Sequence, residues 1–250
     1  MSVGGFRLFG AQLQDVGAYR FLDEARQIAL PATALAQVGY DPARSPYREL
    51  RFGQFVGASA GWVGGSGGSL AMSPHGGPVY GIRYELLGAN TISISLAGTY
   101  ADLERVVIDP DAPALSQVSG PVEQSALTFE GILQFTLTGG KTWHRLAPFV
   151  SGGLGLMLAS RVPEDTTGFS LRTRAVLTPG IGTRVFLSQR LFLRLEARAS
   201  FWQVTYPESF RESPANAPQE PPVLGGRARK EWVSTPTFTA GLSYAFFRPF

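Results

Sequence analysis

The chain has 250 residues, of which 44% are hydrophobic and 16% are charged, and it contains no cysteine. The lack of cysteine excludes disulfide bridges, thiolate metal sites and cysteine nucleophiles, and no run of about 18 apolar residues is present to form a transmembrane helix. The formal net charge is only +3, and the arginines are scattered singly through apolar segments, so a nucleic-acid-binding face is not predicted.

The first fifty residues differ from the rest of the chain. They show no alternation of polar and apolar residues, and a loosely helical apolar run covers about 11–30. Residues 1–50 are therefore predicted to be an N-terminal extension, partly helical or disordered, ahead of a separate domain at 51–250.

Alternation of period two recurs from about residue 52 onwards. In the clearest segment, 191–201, the odd positions are apolar and the even positions include Arg194, Glu196 and Arg198. Because a strand sends successive side chains to opposite faces, one face is apolar and the other is charged. Eight segments show this alternation, although 169–187 alternates more loosely and 52–63 least clearly, and each is about ten residues or longer, the length that a tilted strand needs to cross a bilayer. They are about 52–63, 79–86, 91–100, 127–137, 149–158, 169–187, 191–201 and 236–246.

The connections between these segments alternate between long and short. The long ones are 64–77, 104–122, 161–168 and 207–231, and the short ones are 87–90, 138–142 and 188–190. Barrels of the outer membrane have short periplasmic turns and longer extracellular loops, whereas a soluble sandwich has no reason to sort its loops by end. The predicted fold class is therefore all-β, an eight-stranded antiparallel up-and-down transmembrane β-barrel, with both termini on the periplasmic side.

The charged faces of these strands are predicted to point into the barrel. A lipid-facing Arg or Lys near the bilayer midplane costs about 2–4 kcal/mol, and an eight-stranded barrel has an interior just wide enough for side chains to fill. The inward charges should therefore form a packed, mutually neutralising network, with a narrow ion-conducting lumen as the alternative. The predicted network comprises Arg83, Glu85, Glu130, Gln134, Arg184, Arg194, Glu196 and Arg198.

Aromatic residues are predicted to mark the two membrane interfaces, where rings with one polar end are favoured. Two prolines fit the strands poorly: Pro179 is expected to cause a bulge or split in its strand, and Pro236 a milder disturbance. The aromatic residues assigned to the extracellular rim are Trp62, Tyr100, Trp202, Tyr206 and Trp232, and those assigned to the periplasmic rim are Trp143, Phe186, Phe246 and Phe250.

The C-terminal segment Gly241-Leu-Ser-Tyr-Ala-Phe-Phe-Arg-Pro-Phe250 alternates apolar and small residues and ends in an aromatic residue. In this it resembles the small bacterial outer-membrane barrels of the OmpA, OmpX and OmpW type, and the resemblance covers about 52–250. It implies an outer-membrane location, a periplasmic position for residues 1–50, and recognition of the last strand by the barrel-assembly machinery. The residues that would carry this signal are Leu242, Tyr244, Phe246 and Phe250, although Arg248 and Pro249 depart from the pattern.

A secretory signal is expected for such a protein, and none begins at Met1; Ala34-Leu-Ala36 resembles a cleavage site, but Asp23 and Glu24 interrupt the run before it. Outer-membrane lipid and lipopolysaccharide are the expected partners of a monomeric barrel. The basic residues of the last long loop are candidates for contacts with lipopolysaccharide phosphates, with a solvated loop as the alternative. They are Arg211, Arg227, Arg229 and Lys230.

Catalysis is not predicted. The two histidines, His75 and His144, fall at opposite ends of the barrel, and a triad could be assembled only from Ser73, His75 and Asp109 or its neighbour Asp111. No metal-ligand spacing and no cofactor motif is present.

The predicted function is a non-enzymatic barrel that is structural or presents surface loops. The alternatives are a narrow pore or OmpW-like transporter of small or hydrophobic solutes, a lipid A acyl-modifying enzyme, and a soluble lipocalin-like barrel with an apolar interior.

Overall fold

The computed structural model describes residues 46–50, 53–88, 91–163 and 165–247. Most of the predicted N-terminal extension, and Phe250 of the predicted assembly signal, lie outside the described residues. Within these ranges the chain forms ten strands and one turn of 3₁₀ helix at Glu208–Arg211. In chain order the strands are β1 (Tyr47–Glu49), β2 (Gln54–Val63), β3 (Gly77–Leu87), β4 (Ile92–Ile108), β5 (Val118–Thr136), β6 (Lys141–Trp143), β7 (Leu146–Ala159), β8 (Thr173–Phe186), β9 (Leu191–Thr205) and β10 (Lys230–Phe247).

The eight long strands form a closed ring. Each pairs antiparallel with its neighbour in the order β2, β3, β4, β5, β7, β8, β9, β10, and β10 pairs with β2 to complete the circle. The closing ladder runs from Thr237 opposite Val63 to Phe247 opposite Gln54, with a register shift between Ala245 and Phe247. Closure leaves no unpaired barrel edge, so each long strand has a partner strand on both sides for its backbone hydrogen bonds. The predicted eight-stranded antiparallel barrel is confirmed.

Long and short connections lie at opposite ends of the ring, here called the loop end and the turn end. At the loop end, β4 and β5 run further than predicted and leave only 109–117 between them. The prediction of a loop over 104–122 was wrong. It was made because the charged residues Glu104 and Arg105 interrupt the apolar pattern of the strand. In the barrel Leu103, Arg105 and Val107 share the inner face and are all buried.

A small ledge projects from the turn end. Strand β1 pairs with β6, with Tyr47 opposite Trp143, and β6 pairs antiparallel with the start of β7, with Trp143 opposite Leu146. The amide of His144 donates to the carbonyl of Pro46 at 2.9 Å. Residues 47–49 were predicted as part of a helical or disordered extension; they are a strand because β6 extends beyond the ring and offers a free edge, which the local sequence does not reveal.

The two prolines disturb the ring less than predicted. Strand β8 is continuous through Pro179, which lies opposite Gly152 of β7. On the other side, the ladder to β9 skips Thr178 and Pro179 and resumes in the same register. Pro236 lies opposite Ala199 within the β9–β10 ladder. The missing N–H of Pro179 is therefore accommodated by a gap in one ladder and not by a bulge.

The described parts of the chain contain no helix with the length and apolar character needed to span a membrane.

Candidate functional site in the barrel lumen

The ring is apolar outside and charged inside. Ile82, Leu96 and Leu154 project outward and are 71%, 65% and 70% exposed, whereas Glu85 and Gln134 on the inner faces are 2% and 0% exposed. A contiguous apolar surface of this kind is unfavourable in water and suited to hydrocarbon. This arrangement reverses that of a soluble ligand-binding barrel, which would enclose its apolar residues.

Glu196 lies at the centre of the lumen and contacts three arginines. Arg83 Nη2 donates to Glu196 Oε2 at 2.8 Å, and Arg194 Nε donates to the same oxygen at 3.1 Å. Arg198 Nε lies 4.0 Å from Glu196 Oε1, and the Ser151 hydroxyl donates to that oxygen at 3.3 Å. Strands β3, β7 and β9 are thus joined across the lumen through one carboxylate.

Glu85 and Gln134 continue this network towards the turn end. Arg194 Nη1 donates to Glu85 Oε2 at 3.1 Å and Arg194 Nη2 donates to Gln134 Oε1 at 2.6 Å. Arg184, which is fully buried, forms an ion pair with the other oxygen of Glu85. All three donor groups of the Arg194 guanidinium are therefore used.

Glu130 forms the branch of the network nearer the loop end. Its Oε1 accepts from Arg198 Nη2 at 2.7 Å and from the Thr178 hydroxyl at 2.6 Å. Thr178 was not among the predicted residues, although it shares the inward parity of Arg184 on β8. The structure thus brings all eight predicted residues together in one layer, here called the ionic layer.

An aromatic layer closes the lumen on the turn side of the ionic layer. The Arg184 guanidinium lies within 6 Å of the rings of Phe55, Phe149 and Phe192, and the Arg194 guanidinium lies 4.2 Å from that of Phe149. Such cation–π contacts stabilise a desolvated guanidinium by about 2 kcal/mol.

Phe186 was predicted at the periplasmic rim, and this was wrong: its ring packs inside, 5.1 Å from that of Phe192. Its parity with Arg184 could have revealed this. Trp143 and Phe246 are exposed at the turn end, where they were predicted.

An apolar layer fills the lumen at the loop end. Met72 of the first long loop, and Phe210 and Leu224 of the last one, are buried against Trp202 and Tyr206. Trp202 and Tyr206 thus lie near the loop end, where they were predicted, but they face the lumen and not the membrane interface, because they share the inward parity of Arg194 and Arg198. The other three residues predicted at the extracellular rim, Trp62, Tyr100 and Trp232, are exposed on the outside.

Two polar contacts hold the loops over the mouth of the barrel. Arg105 Nη2 donates to Asp165 Oδ2 at 2.5 Å, and both side chains are buried. The Tyr206 hydroxyl donates to Glu231 Oε1, which also accepts from the amide of Ser69 at 3.0 Å. Burial and the hydrogen bond to Glu231 raise the pKa of Tyr206 well above its usual range. Burial alone would raise the pKa of Asp165, but hydrogen bonds from Thr167 and Arg105 outweigh it and hold that pKa below its usual range.

The Arg105–Asp165 pair makes stability depend on pH. Because the pKa of Asp165 is lowered in the folded state, its contribution is present above the ordinary aspartate pKa of about 4 and is lost as the pH falls through the folded-state value. We expect Asp165→Asn to lower the free energy of unfolding by about 1.5–3 kcal/mol at pH 7, and by less at pH 3, where the contribution has begun to be lost. Urea unfolding at both pH values measures this. The control is Asp111→Asn on an exposed turn, and an equal loss at both pH values would contradict the assignment.

The possible catalytic residues are not assembled. His75 Nδ1 lies 2.9 Å from the carbonyl oxygen of Ser73, while the Ser73 hydroxyl is buried and accepts a hydrogen bond from Trp202 Nε1 at 3.0 Å. Asp109 accepts from the amide of Asp111 in a separate turn. Among the described residues, no group of three or more His, Asp or Glu side chains is placed to hold a metal ion.

Three residues of the predicted assembly signal, Leu242, Tyr244 and Phe246, face outward along β10 and are 43–49% exposed. The four basic residues predicted to contact phosphates are all exposed at the loop end. Two of them are already engaged, since Arg229 and Arg211 both contact Glu208.

The closed ring, apolar exterior and ionic lumen define the class: this is a small transmembrane β-barrel of eight strands. No protein-family model and no curated protein matches the sequence. Solved structures similar to it include the outer membrane protein OprG from Pseudomonas aeruginosa, with 12% identity over 79% of this chain and 98% of that chain and a TM-score of 0.46. Neisserial surface protein A has 13% identity over 81% and 98%, with a TM-score of 0.47, and the outer membrane enzyme PagL has 11% over 77% and 99%, with a TM-score of 0.39.

Proposed function

We propose that this chain is a non-enzymatic barrel of the bacterial outer membrane, plugged by its own side chains, that presents the long loops at the cell surface. The observation that carries the proposal is the filling of the lumen by three stacked layers: the apolar layer, the ionic layer and the aromatic layer. Each uses buried side chains from several strands. A barrel filled in this way has a structural core in place of a conduit.

The lumen should conduct ions poorly. We expect the protein, reconstituted into planar bilayers, to give no steady channel current, because ions would have to displace both buried salt bridges and the packed apolar layer. Correct folding of the same preparation is checked by heat-dependent gel mobility. Large steady currents from folded protein would contradict a plugged lumen and would favour the narrow pore or solute transporter.

The orientation follows from the asymmetry of the connections. We propose that the turn end, where β2 begins and β10 ends, faces the periplasm and that the loop end faces outward, as short turns and long loops do in this class. Since the chain has no cysteine, single cysteines can report each side. We expect a membrane-impermeant maleimide to label Ala114→Cys in the β4–β5 loop of intact cells, and to label Gln189→Cys in the β8–β9 turn only after lysis.

Both positions are exposed, so a difference in labelling reports the side of the membrane and not burial. Labelling of Gln189→Cys but not Ala114→Cys in intact cells would reverse the orientation. Release of the protein from cells without detergent, with both cysteines labelled, would contradict the membrane location.

The loop end supplies the contacts proposed for lipopolysaccharide. Arg227 and Lys230 are exposed beside Arg211 and Arg229, whose guanidinium groups contact Glu208. Charge-assisted hydrogen bonds to phosphate therefore rest mainly on Arg227 and Lys230. The outward row Leu242, Tyr244 and Phe246 supports recognition of β10 by the barrel-assembly machinery.

A further inference from the structure

The ionic layer carries more positive than negative groups. It contains four guanidinium groups and three carboxylates, and the salt bridges within the described residues bring no fourth carboxylate to it. An enclosed charge without a partner is strongly destabilising, so the extra cation requires some compensating group. The seven charged residues are Arg83, Arg184, Arg194 and Arg198, and Glu85, Glu130 and Glu196.

Three of these arginines have buried guanidinium nitrogens with no hydrogen-bond partner among the described residues: Arg83 Nη1, Arg184 Nε and Nη1, and Arg198 Nε. Of the three, Arg83 also lines a cavity. The Arg184 guanidinium lies against three phenylalanine rings, Arg194 has three acceptors, and Arg198 bonds to Glu130 and Thr178. Among the described residues, Arg83 forms a salt bridge with Glu196 alone, a carboxylate that it shares with two other arginines. Its second terminal nitrogen, Nη1, is buried and has no hydrogen-bond partner among the described residues.

A small cavity lies beside this guanidinium. Its volume is about 20 Å³, and its wall includes two arginines and one carboxylate, Arg83, Arg194 and Glu196, and the hydroxyl-bearing residues Ser59, Thr239 and Ser243. The charged part of the wall therefore carries one net positive charge. Glycines make room for it: a Cβ atom on Gly57 would lie 2.3 Å from the Ser243 hydroxyl oxygen. A cavity of this size admits one particle of about the size of a water molecule, so a small spherical anion fits it better than phosphate, sulfate or an organic anion.

We propose that this cavity is a binding site for one small monovalent anion of chloride size. The guanidinium N–H of Arg83 and the hydroxyl groups of Ser59, Thr239 and Ser243 are the donors available to hold it. A water molecule could accept the same hydrogen bonds but would leave the additional positive charge uncompensated. The site depends only on residues of the lumen and not on the cellular location proposed above.

Two measurements test the site. In crystals of the folded barrel soaked in sodium bromide, we expect an anomalous bromide peak in the cavity beside Arg83. In urea unfolding at equal ionic strength, we expect a higher midpoint in sodium chloride or bromide than in sodium gluconate, because an anion that binds only the folded state stabilises it.

Three variants separate the site from general salt effects. Arg83→Gln removes the excess charge and should abolish both the bromide peak and the difference between chloride and gluconate. Ser243→Val fills the cavity without changing any charge and should do the same. Arg161→Gln removes an equal charge from an exposed loop residue and should retain both effects.

The proposal is overturned if the wild-type cavity contains only water in the bromide-soaked crystal. It is also overturned if Ser243→Val keeps the full difference between halide and gluconate. Either result is decisive even if Arg83→Gln fails to fold, since one uses the wild type and the other leaves every salt bridge in place.

Discussion

Replacing Glu196 by alanine is expected to lower the free energy of unfolding by about 3–5 kcal/mol, the loss seen when one partner of a buried ion pair is removed. Glu196 is buried and contacts Arg83, Arg194 and Arg198. Its removal would leave the ionic layer with four guanidinium groups and two carboxylates. The repulsion among these cations would then add to the cost of desolvating them.

Urea unfolding in lipid vesicles, followed by tryptophan fluorescence, measures this effect. Glu196→Gln keeps an acceptor but removes the charge and should fall between alanine and the wild type. Glu123→Ala, on the exposed face of β5, is the matched control and should change stability by less than about 1 kcal/mol. A similarly small effect of Glu196→Ala would show that the ionic layer does not hold the barrel together.

Replacing Leu154 by arginine is expected to lower the free energy of unfolding in vesicles by about 2–4 kcal/mol, because the side chain lies on the outer face near the middle of β7. Leu154 is 70% exposed, between Gly131 of β5 and Leu177 of β8. In a soluble protein an exposed leucine can be exchanged for arginine at little cost. In a bilayer the same change places a cation in hydrocarbon.

Leu115→Arg provides the control, since Leu115 lies in the β4–β5 loop and is fully exposed. The same chemical change should be nearly neutral there. Equal effects of the two substitutions would mean that the outer face of β7 is not in lipid, and would favour a water-soluble barrel.

The strands of the ring were predictable because their signal is local. Alternation with period two reports which side chains share a face, and Leu191–Phe201 is sufficient to place Arg194, Glu196 and Arg198 together. The same rule assigns Trp202, Tyr206 and Phe186 to the inner faces. The prediction placed them at the rims instead, because it considered their position along the strand and the interfacial preference of aromatic rings before their parity.

Features that depend on distant residues were not predictable in the same way. Strand β1 exists because β6 presents an edge to it, and β4 and β5 continue because loops 64–76, 160–172 and 206–229 provide an apolar layer for their inner faces. The pattern of residues 104–122 contains charges that are typical of a loop. The burial of Arg105 in this segment becomes visible only when Asp165 is placed against it.

The sequence by itself determined the all-β class, the eight strands of the ring, the sorting of long and short connections and the face that carries the charges, because each strand is encoded by an alternation within about ten consecutive residues. Only the tertiary structure decided which arginine meets which carboxylate, since Arg83 and Glu196 are 113 residues apart and Glu85 and Arg194 are 109 apart. It also decided that Arg83 is left with a buried unpartnered nitrogen beside a cavity. Charge balance in the closed lumen depends on residues from four strands, β3, β5, β8 and β9, and no local pattern carries that information.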